Sequence, residues 1–413
     1  MRGPSSGRRT THGGRLASLA AFAGLSLGAS PALADPPLVR PILLGETDLR
    51  FDAPDRTEGE DGFAAVRLRL GASMDIGSWF RAVAQAEWAQ EKPALLDAYA
   101  EFRPFAGWAL RVGASKTPLF ANARDDTVFS LPVPERPMVV TAFWPGRDLG
   151  VEVRKLPTRS FPVEAWLRAG NGSGAVLGND NSDFAVDMRL DVALGRAQPG
   201  ADASSLLGVR LGGGLHLDSV EDRPGVSGRT AGGFTFYRPP TVSGPRRVAE
   251  AHAVVYAGPV KVSGELAMAH ESRSKDTDGN PDTPRVPLPE VMSVGGYVEA
   301  AWMIFGPRRT PGAWPVKTPW NEWDWGGLEL AGRFERLELG KGAPDVQAGG
   351  ATCGAVAVRW WASSYAALSA AFYGYAYDTA PIEEPERKDS WVALLRLTIR
   401  APDSFAVSLP MPR

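Results

Sequence analysis

A single cysteine, Cys353, and four histidines stand in a chain of 413 residues with a formal net charge of −2. One cysteine excludes an internal disulfide framework, so stability has to come from the chain's own pairing. The balance of 45 basic against 47 acidic residues lacks the concentrated basic face that nucleic-acid binding needs. After the N-terminal segment no run of 18 apolar residues occurs, which excludes spanning by helices. Two classes remain, a soluble exported β protein or a closed transmembrane β-barrel. Barrel strands need only about 9–11 alternating residues each and leave overall hydropathy ordinary. Sites for chemistry are missing too. His216, His252 and His270 lack metal-ligand spacing, and Asp276–Asn280 lacks the terminal Glu of a calcium loop. No Ser-His-Asp set or rim carboxylate pair stands out. The expectation is a protein that is not an enzyme and needs neither metal nor cofactor.

The first residues have their own composition. Arg2, Arg8, Arg9 and Arg15 form a basic region without acids, Leu16 to Gly28 a short apolar core, and Ala32-Leu33-Ala34 a small-residue cleavage signature. This predicts a secretory signal peptide over 1–34, a barrel over 35–400 and a C-terminal extension over 401–413. For an exported chain that closes as a barrel, the expected location is the bacterial outer membrane, against lipid and lipopolysaccharide.

What the chain does have is alternation, since side chains of a strand point to opposite faces with period 2. Val66, Leu68, Leu70, Ala72 and Met74 share one face, with Ala65, Arg67, Arg69, Gly71 and Ser73 opposite. The pattern recurs through Phe80–Trp88, Leu96–Arg103, Trp108–Ser115, Val163–Ala169, Asp183–Val192 and Trp391–Arg400. It predicts 16 strands near 42–51, 63–74, 78–88, 94–103, 108–116, 148–155, 161–170, 183–193, 205–217, 247–257, 259–271, 291–304, 325–337, 351–361, 365–377 and 388–400. An even count puts both ends on the periplasmic side. Connections are short on one side (75–77, 104–107, 362–364) and long on the other (117–147, 218–246, 272–290), as in barrels with short periplasmic turns and longer outer loops. The segment 306–323 is long for a periplasmic turn. Trp302, Trp360, Trp361, Tyr373, Tyr375 and Tyr377 are expected in aromatic girdles at the membrane interfaces.

That register puts Arg67, Arg69, Arg81, Arg111, Arg154 and Arg333 on the pore-lining face, among acids such as Glu87, Asp97, Glu101, Glu152 and Glu335. Charges in a narrow, wet passage tune ion selectivity. The structural alternative, favoured for most of these residues singly, is that opposite charges pair between neighbouring strands and merely solvate the wall.

Four stretches resemble the phosphate-selective porin O and P family. They are Asp61 to Met74 (DGFAAVRLRLGASM), Ala94 to Pro118 (ALLDAYAEFRPFAGWALRVGASKTP), Glu135-Arg136 with Arg147-Asp148-Leu149-Gly150-Val151, and Gly327 to Leu339 (GLELAGRFERLEL) followed by Gly354 to Trp361. The chain departs from the barrel norm in ending Pro410-Met411-Pro412-Arg413, with no terminal aromatic. The resemblance implies a homotrimeric, 16-stranded porin whose third outer loop folds into the pore, and the strand count independently puts that loop at Thr117–Arg147. Lys116, Arg124, Arg136 and Arg147 are then the candidates for contact with solute at the constriction. Asp125, Asp126, Glu135 and Asp148 beside them leave the loop nearly neutral, and Glu135-Arg136 serves equally well as a pin to the wall. The functional expectation is passive diffusion of small hydrophilic solutes, with a preference for anions such as phosphate implied by the resemblance. The alternative is an outer-membrane barrel acting as an adhesin or scaffold, motivated by its long loops.

Overall fold

The computed structural model describes residues 36–401 and 407–408, except 54–60, 90–91, 159, 173, 175, 177–178, 180–182, 199–205, 278–282, 319–321, 323 and 382–383. The segment read as a signal peptide lies outside the described residues. The chain runs through β1 (Leu38–Ala53), β2 (Gly62–Ile76), β3 (Phe80–Glu87), β4 (Ala94–Phe102), β5 (Trp108–Lys116), β6 (Arg147–Lys155), β7 (Val163–Gly170), β8 (Ala185–Gly195) and β9 (Leu207–Pro224). Two short strands follow, β10 (Gly228–Arg229) and β11 (Thr235–Tyr237). Then come β12 (Thr241–Ala257), β13 (Val260–Lys275), β14 (Val286–Phe305), β15 (Gly327–Lys341), β16 (Gly349–Trp361), β17 (Ala366–Tyr377), β18 (Asp389–Arg400) and β19 (Val407–Ser408).

Each long strand pairs antiparallel with its sequence neighbour, β9 pairs with β12 across the β10–β11 hairpin, and β18 returns to β1. The closing register runs from Leu44 opposite Arg400 to Ala53 opposite Trp391. The result is a closed barrel of sixteen long strands. Closure leaves no strand edge with unpaired N–H and C=O groups facing hydrocarbon, where each would cost several kcal/mol as an order of magnitude. No described helix is long and apolar enough to cross a membrane.

The wall follows the alternation. Leu68 and Leu70 on β2, Leu110 and Val112 on β5, Leu149, Val151 and Val153 on β6, and Leu395, Leu397 and Ile399 on β18 are exposed on the outer surface. Their neighbours Arg111, Asp148, Glu152 and Arg396 are buried inside. All sixteen expected strands are present, several of them longer than the alternation alone indicates. β9 and β12 extend to Pro224 and from Thr241, and β13 and β14 to Lys275 and from Val286. The connections between them are correspondingly shorter than expected.

Three local features differ from the sequence reading. A β-bulge opposite Glu46/Thr47 leaves Val66 unpaired, because Arg67 faces Glu46 while Ala65 faces Thr47. Ala65 therefore joins the exposed face rather than the face of Arg67, as an extra residue shifts the parity of everything before it. Tyr373, Tyr375, Tyr377 and Trp361 are buried inside the barrel and are not girdle residues, whereas Trp302 and Trp360 do face outward. Finally, β1 includes Pro41 and begins at Leu38, and beyond its contact with β18 its first residues pair with β19, Leu38 with Ser408 and Val39 with Val407. Pro41 falls between these two stretches of pairing, where a missing N–H is tolerated.

Candidate functional site

The connection between β5 and β6 turns back into the barrel. It carries a short helix α1 (Ala121–Arg124), a 3-10 turn at Val128–Ser130 and a second short helix α2 (Met138–Phe143). Leu119, Phe120, Val133, Met138, Val139, Val140 and Phe143 bury themselves against Tyr297, Leu337, Ala355 and Tyr373 of the inner wall. The apolar half of this loop thus fills one side of the lumen and pins the loop away from water.

Polar anchors then fix its path. Five arginines from separate elements each donate to a backbone carbonyl of the loop: Arg189 of β8 to Pro118 (3.0 Å), Arg309 of the 306–326 connection to Ser130 (2.6 Å), Arg359 of β16 to Leu131, Arg396 of β18 to Pro134 (2.9 Å) and Arg333 of β15 to Glu135 (2.8 Å). Four of these guanidinium groups also hold a carboxylate: Arg189 with Asp191 at 2.7 Å, Arg309 with Glu329, Arg333 with Glu335 at 2.7 Å and Arg396 with Asp48 at 2.6 Å. Carboxylates reach the loop in turn, Glu265 accepting from the Asn122 amide (2.6 Å) and Glu335 from the Met138 amide. The Tyr373 hydroxyl accepts from the Glu135 amide (3.1 Å). A loop with unpaired carbonyls inside a barrel would cost desolvation energy at each one, and these donors remove that cost.

The loop's own acids complete the attachment. Asp125 meets Arg189 at 2.8 Å and Arg210 at 2.9 Å, and Asp126 meets Lys261 at 2.7 Å. Glu135 bridges Arg67 (3.1 Å) and Arg396. Burial pushes the Asp125 and Glu135 carboxyls up, but Arg189 and Arg210 in the first case and Arg396 and Arg67 in the second hold both well below the usual carboxylate range. Glu135 is therefore a pin to the wall, as its sequence position allowed.

The periplasmic connection 306–326 enters the mouth from below. Trp314 is buried edge-on against Trp361, with ring centroids 4.7 Å apart, and its indole N–H donates to the Ser363 carbonyl at 2.7 Å. It also lies 6.0 Å from Phe129 of the constriction loop. On the outer side, the β10–β11 hairpin puts Phe234 and Phe236 into the same apolar cluster as α2, and the Ala231 amide donates to the Tyr375 hydroxyl at 2.8 Å. The 306–326 connection thus acts as a plug against the loop from one end, and the hairpin packs on it from the other.

The residues expected at the site divide into two sets. Arg111 pairs with Glu101 at 2.6 Å, Arg154 with Glu164 at 3.4 Å, Arg69 with Glu87 at 3.0 Å, Arg81 with Asp75 at 2.6 Å, Arg67 with Glu46 at 2.5 Å, and Arg333 with Glu335. All six stand on the charged face of their strands, each paired with a carboxylate on its own or a neighbouring strand. Of the four constriction candidates, Arg124 pairs with Glu152 (3.2 Å) and Arg147 with Asp97 (3.0 Å). Lys116 and Arg136 differ from them. Lys116 donates to the Ala123 carbonyl at 2.6 Å. Arg136 donates to both oxygens of Asn122 (the side-chain one at 2.7 Å) and to the Asp126 carbonyl at 3.2 Å. Among the described residues neither has an ion-pair partner. Burial, and then the neighbouring guanidinium groups of Arg67, Arg147 and Arg69 against the opposing pull of Asp126, press Arg136 below its usual value. It remains a cation at neutral pH, half-buried at the edge of the loop.

Inward cations still touched by water, among them Arg50, Arg67, Arg69 and Arg147, lie on the β1–β6 side. Those of β7, β8, β15 and β18 are sealed, with Arg168, Arg189, Arg333 and Arg396 at 1% side-chain exposure or less. Sequence reasoning missed Glu46, Asp48, Arg309 and Arg359, which hold this arrangement together. Among the described residues no group of His, Cys, Asp or Glu is placed to hold a metal ion. His216 and His252 are taken up by Asp187 at 2.7 Å and Glu250 at 3.1 Å.

The family model for phosphate-selective porin O and P matches residues 46–400. The chain belongs to the phosphate-selective porin O and P family. It is accordingly an outer-membrane porin, a channel fold rather than an enzyme fold. Solved porins share the architecture at low identity. A loop-deletion form of OmpT of Vibrio cholerae is 13% identical, with 89% of this chain and 100% of that one covered and a TM-score of 0.54. An anion-selective porin from Comamonas acidovorans is 10% identical over 88% and 100%, TM-score 0.54. The DcaP channel of Acinetobacter baumannii is 11% identical over 90% and 99%, TM-score 0.54. No curated protein sequence matches. At these identities the structures establish the fold of this porin and not its solute.

Proposed function

We propose that this porin is a passive diffusion channel for small hydrophilic solutes that favours anions, phosphate-sized ones included. The observation that carries the reading is Arg136, a guanidinium at the constriction that has no ion-pair partner among the described residues. The expected arginines of the lining are charge-balanced apart from Arg136, so a passing anion gains most there. Arginine suits oxyanions because its planar fork donates in pairs. Arg124 and Arg147 shape the same passage from ion-paired positions. A neighbour in the Comamonas acidovorans porin described as anion-selective is consistent with this reading. The trimer form of Vibrio cholerae OmpT supports a homotrimer here as well. Residues 1–34 act as a cleaved export signal, and the outer apolar band contacts lipid and lipopolysaccharide.

Reversal potential across a planar bilayer under a salt gradient tests the proposal. The wild-type porin is expected to favour chloride over potassium. Arg136→Ala removes about 1 kcal/mol of anion attraction, which is about a fivefold loss of selectivity. A wild-type potential near zero removes the anion preference, and electrical silence of well-folded protein removes the channel.

A further inference from the structure

Away from the passage, a cleft of about 300 Å³ opens between the segments 236–240, 345–348 and 379–380 of three outer loops. We infer that this cleft is a saccharide-binding site on the outer face of the barrel.

Its construction is that of a preformed site. Arg273 forks onto Asp345 with contacts of 3.0 and 2.6 Å, which ties the end of β13 to the loop after β15. The ring of Tyr237 sits on two glycines: a Cβ at Gly340 would lie 2.0 Å from the tyrosine hydroxyl, and one at Gly349 2.7 Å from its ring. Gly340 also has φ +70, a conformation that glycine adopts without strain. Phe236 and Tyr237 are held from behind, Phe236 stacked on Tyr377 with centroids 5.4 Å apart. The wall is thus rigid before any ligand arrives, and preorganisation of this kind lowers the entropic cost of binding.

The lining chemistry selects the ligand class. Phe236, Tyr237, Pro239 and Pro240 present C–H and ring surface, suited to the apolar faces of a pyranose. Gln347 and Thr379 stand exposed at the rim. The Gln347 amide both donates and accepts, as sugar hydroxyls require. The Thr379 hydroxyl donates to the Ala348 carbonyl at 3.2 Å and keeps lone pairs to accept from a ligand. Among the described residues the Tyr237 hydroxyl and Arg273 Nε are buried without a hydrogen-bond partner, so the wall holds polar capacity that they leave unsatisfied. The charged lining is the Arg273–Asp345 pair together with Arg238, so inorganic phosphate is the competitor that the test has to include. The volume is at the small end of ligand sites and matches one or two sugar rings. None of the charged residues assigned to the passage lines this cleft. The sugar can come from two sources, a free saccharide at the cell surface or the outer saccharide of lipopolysaccharide.

Saturation-transfer NMR on the detergent-solubilised full-length porin separates these sources, with maltose as one probe and delipidated core oligosaccharide as the other. Transfer to maltose alone assigns the free sugar, and transfer to the core oligosaccharide assigns the lipopolysaccharide source. In either case the double variant Gln347→Ala/Thr379→Ala, altered only at exposed rim positions, is expected to lose at least fivefold of the signal with unchanged single-channel conductance. Absence of transfer to both probes overturns the inference. So does an undiminished signal in the variant, or displacement of the sugar by inorganic phosphate. Because the conductance is read in parallel, failure here leaves the channel reading standing, and the reverse also holds.

Discussion

Arg309 shows how much a single side chain in a connection can do. It holds Glu329, donates to Ser130 and lies 5.1 Å above the Trp361 ring. Removing one partner of a buried ion pair costs about 3–5 kcal/mol, because the other charge is left unpaired. Arg309→Ala is expected to release the plug without unfolding the barrel. Limited proteolysis should then cut within 306–326, and single-channel conductance should rise; a resistant, unchanged channel would contradict the assignment. Nothing in the local sequence marks Arg309, since neither strand period nor motif reaches it. The three buried tyrosines of β17 were hidden for a different reason. Phe372 and Leu368 face outward while Tyr373 and Tyr375 face inward, so both parities of this strand look apolar and alternation cannot choose between them. Where one parity carried charge, as in Arg67 and Arg69 against Leu68 and Leu70, the face was legible at once.

The constriction loop is legible as an element but not as a conformation. Its place between the fifth and sixth strands follows from counting, and its inward fold was implied by family resemblance. Its path depends on partners far away in the chain, such as Arg359 and Arg396, that no local pattern connects to Leu131 or Pro134. These attachments set its response to acid. A carboxylate whose value is lowered by folding contributes stability above its ordinary pKa of about 4.3 and loses it as pH falls through the lowered value. Glu135 and Asp125 are both of this kind. The wild type and a Glu135→Gln variant should therefore differ in open-channel noise from neutral pH down to about 4.5 and converge only in stronger acid. Convergence of the two near the ordinary value of glutamate would show that Glu135 does not hold the loop.

For the molecule as a whole, closure rests on the register between β1 and β18, and among the described residues the short β19 adds Leu38–Ser408 and Val39–Val407. Deleting 401–413 is thus expected to leave a barrel that still shows the shifted electrophoretic mobility of the folded form in unheated gels, unfolding a few degrees lower. Loss of folding altogether would mean that the tail, and not the last long strand, completes the wall. The sixteen strands were readable because a two-residue period repeated around the wall is a strong signal. The first was the weakest, since Pro41 and sparse alternation obscured it, and with it went Glu46 and Asp48, two acids that anchor Arg67 and Arg396.

The five carbonyl-holding arginines also impose an order of events. They come from β8, the 306–326 connection, β15, β16 and β18, so the loop between β5 and β6 is made long before most of its fasteners. It acquires its shape only when the final strand has docked. During biogenesis the sieve is consequently the last part to set, and a barrel stalled short of its closing seam would be an ungraded hole rather than a selective one.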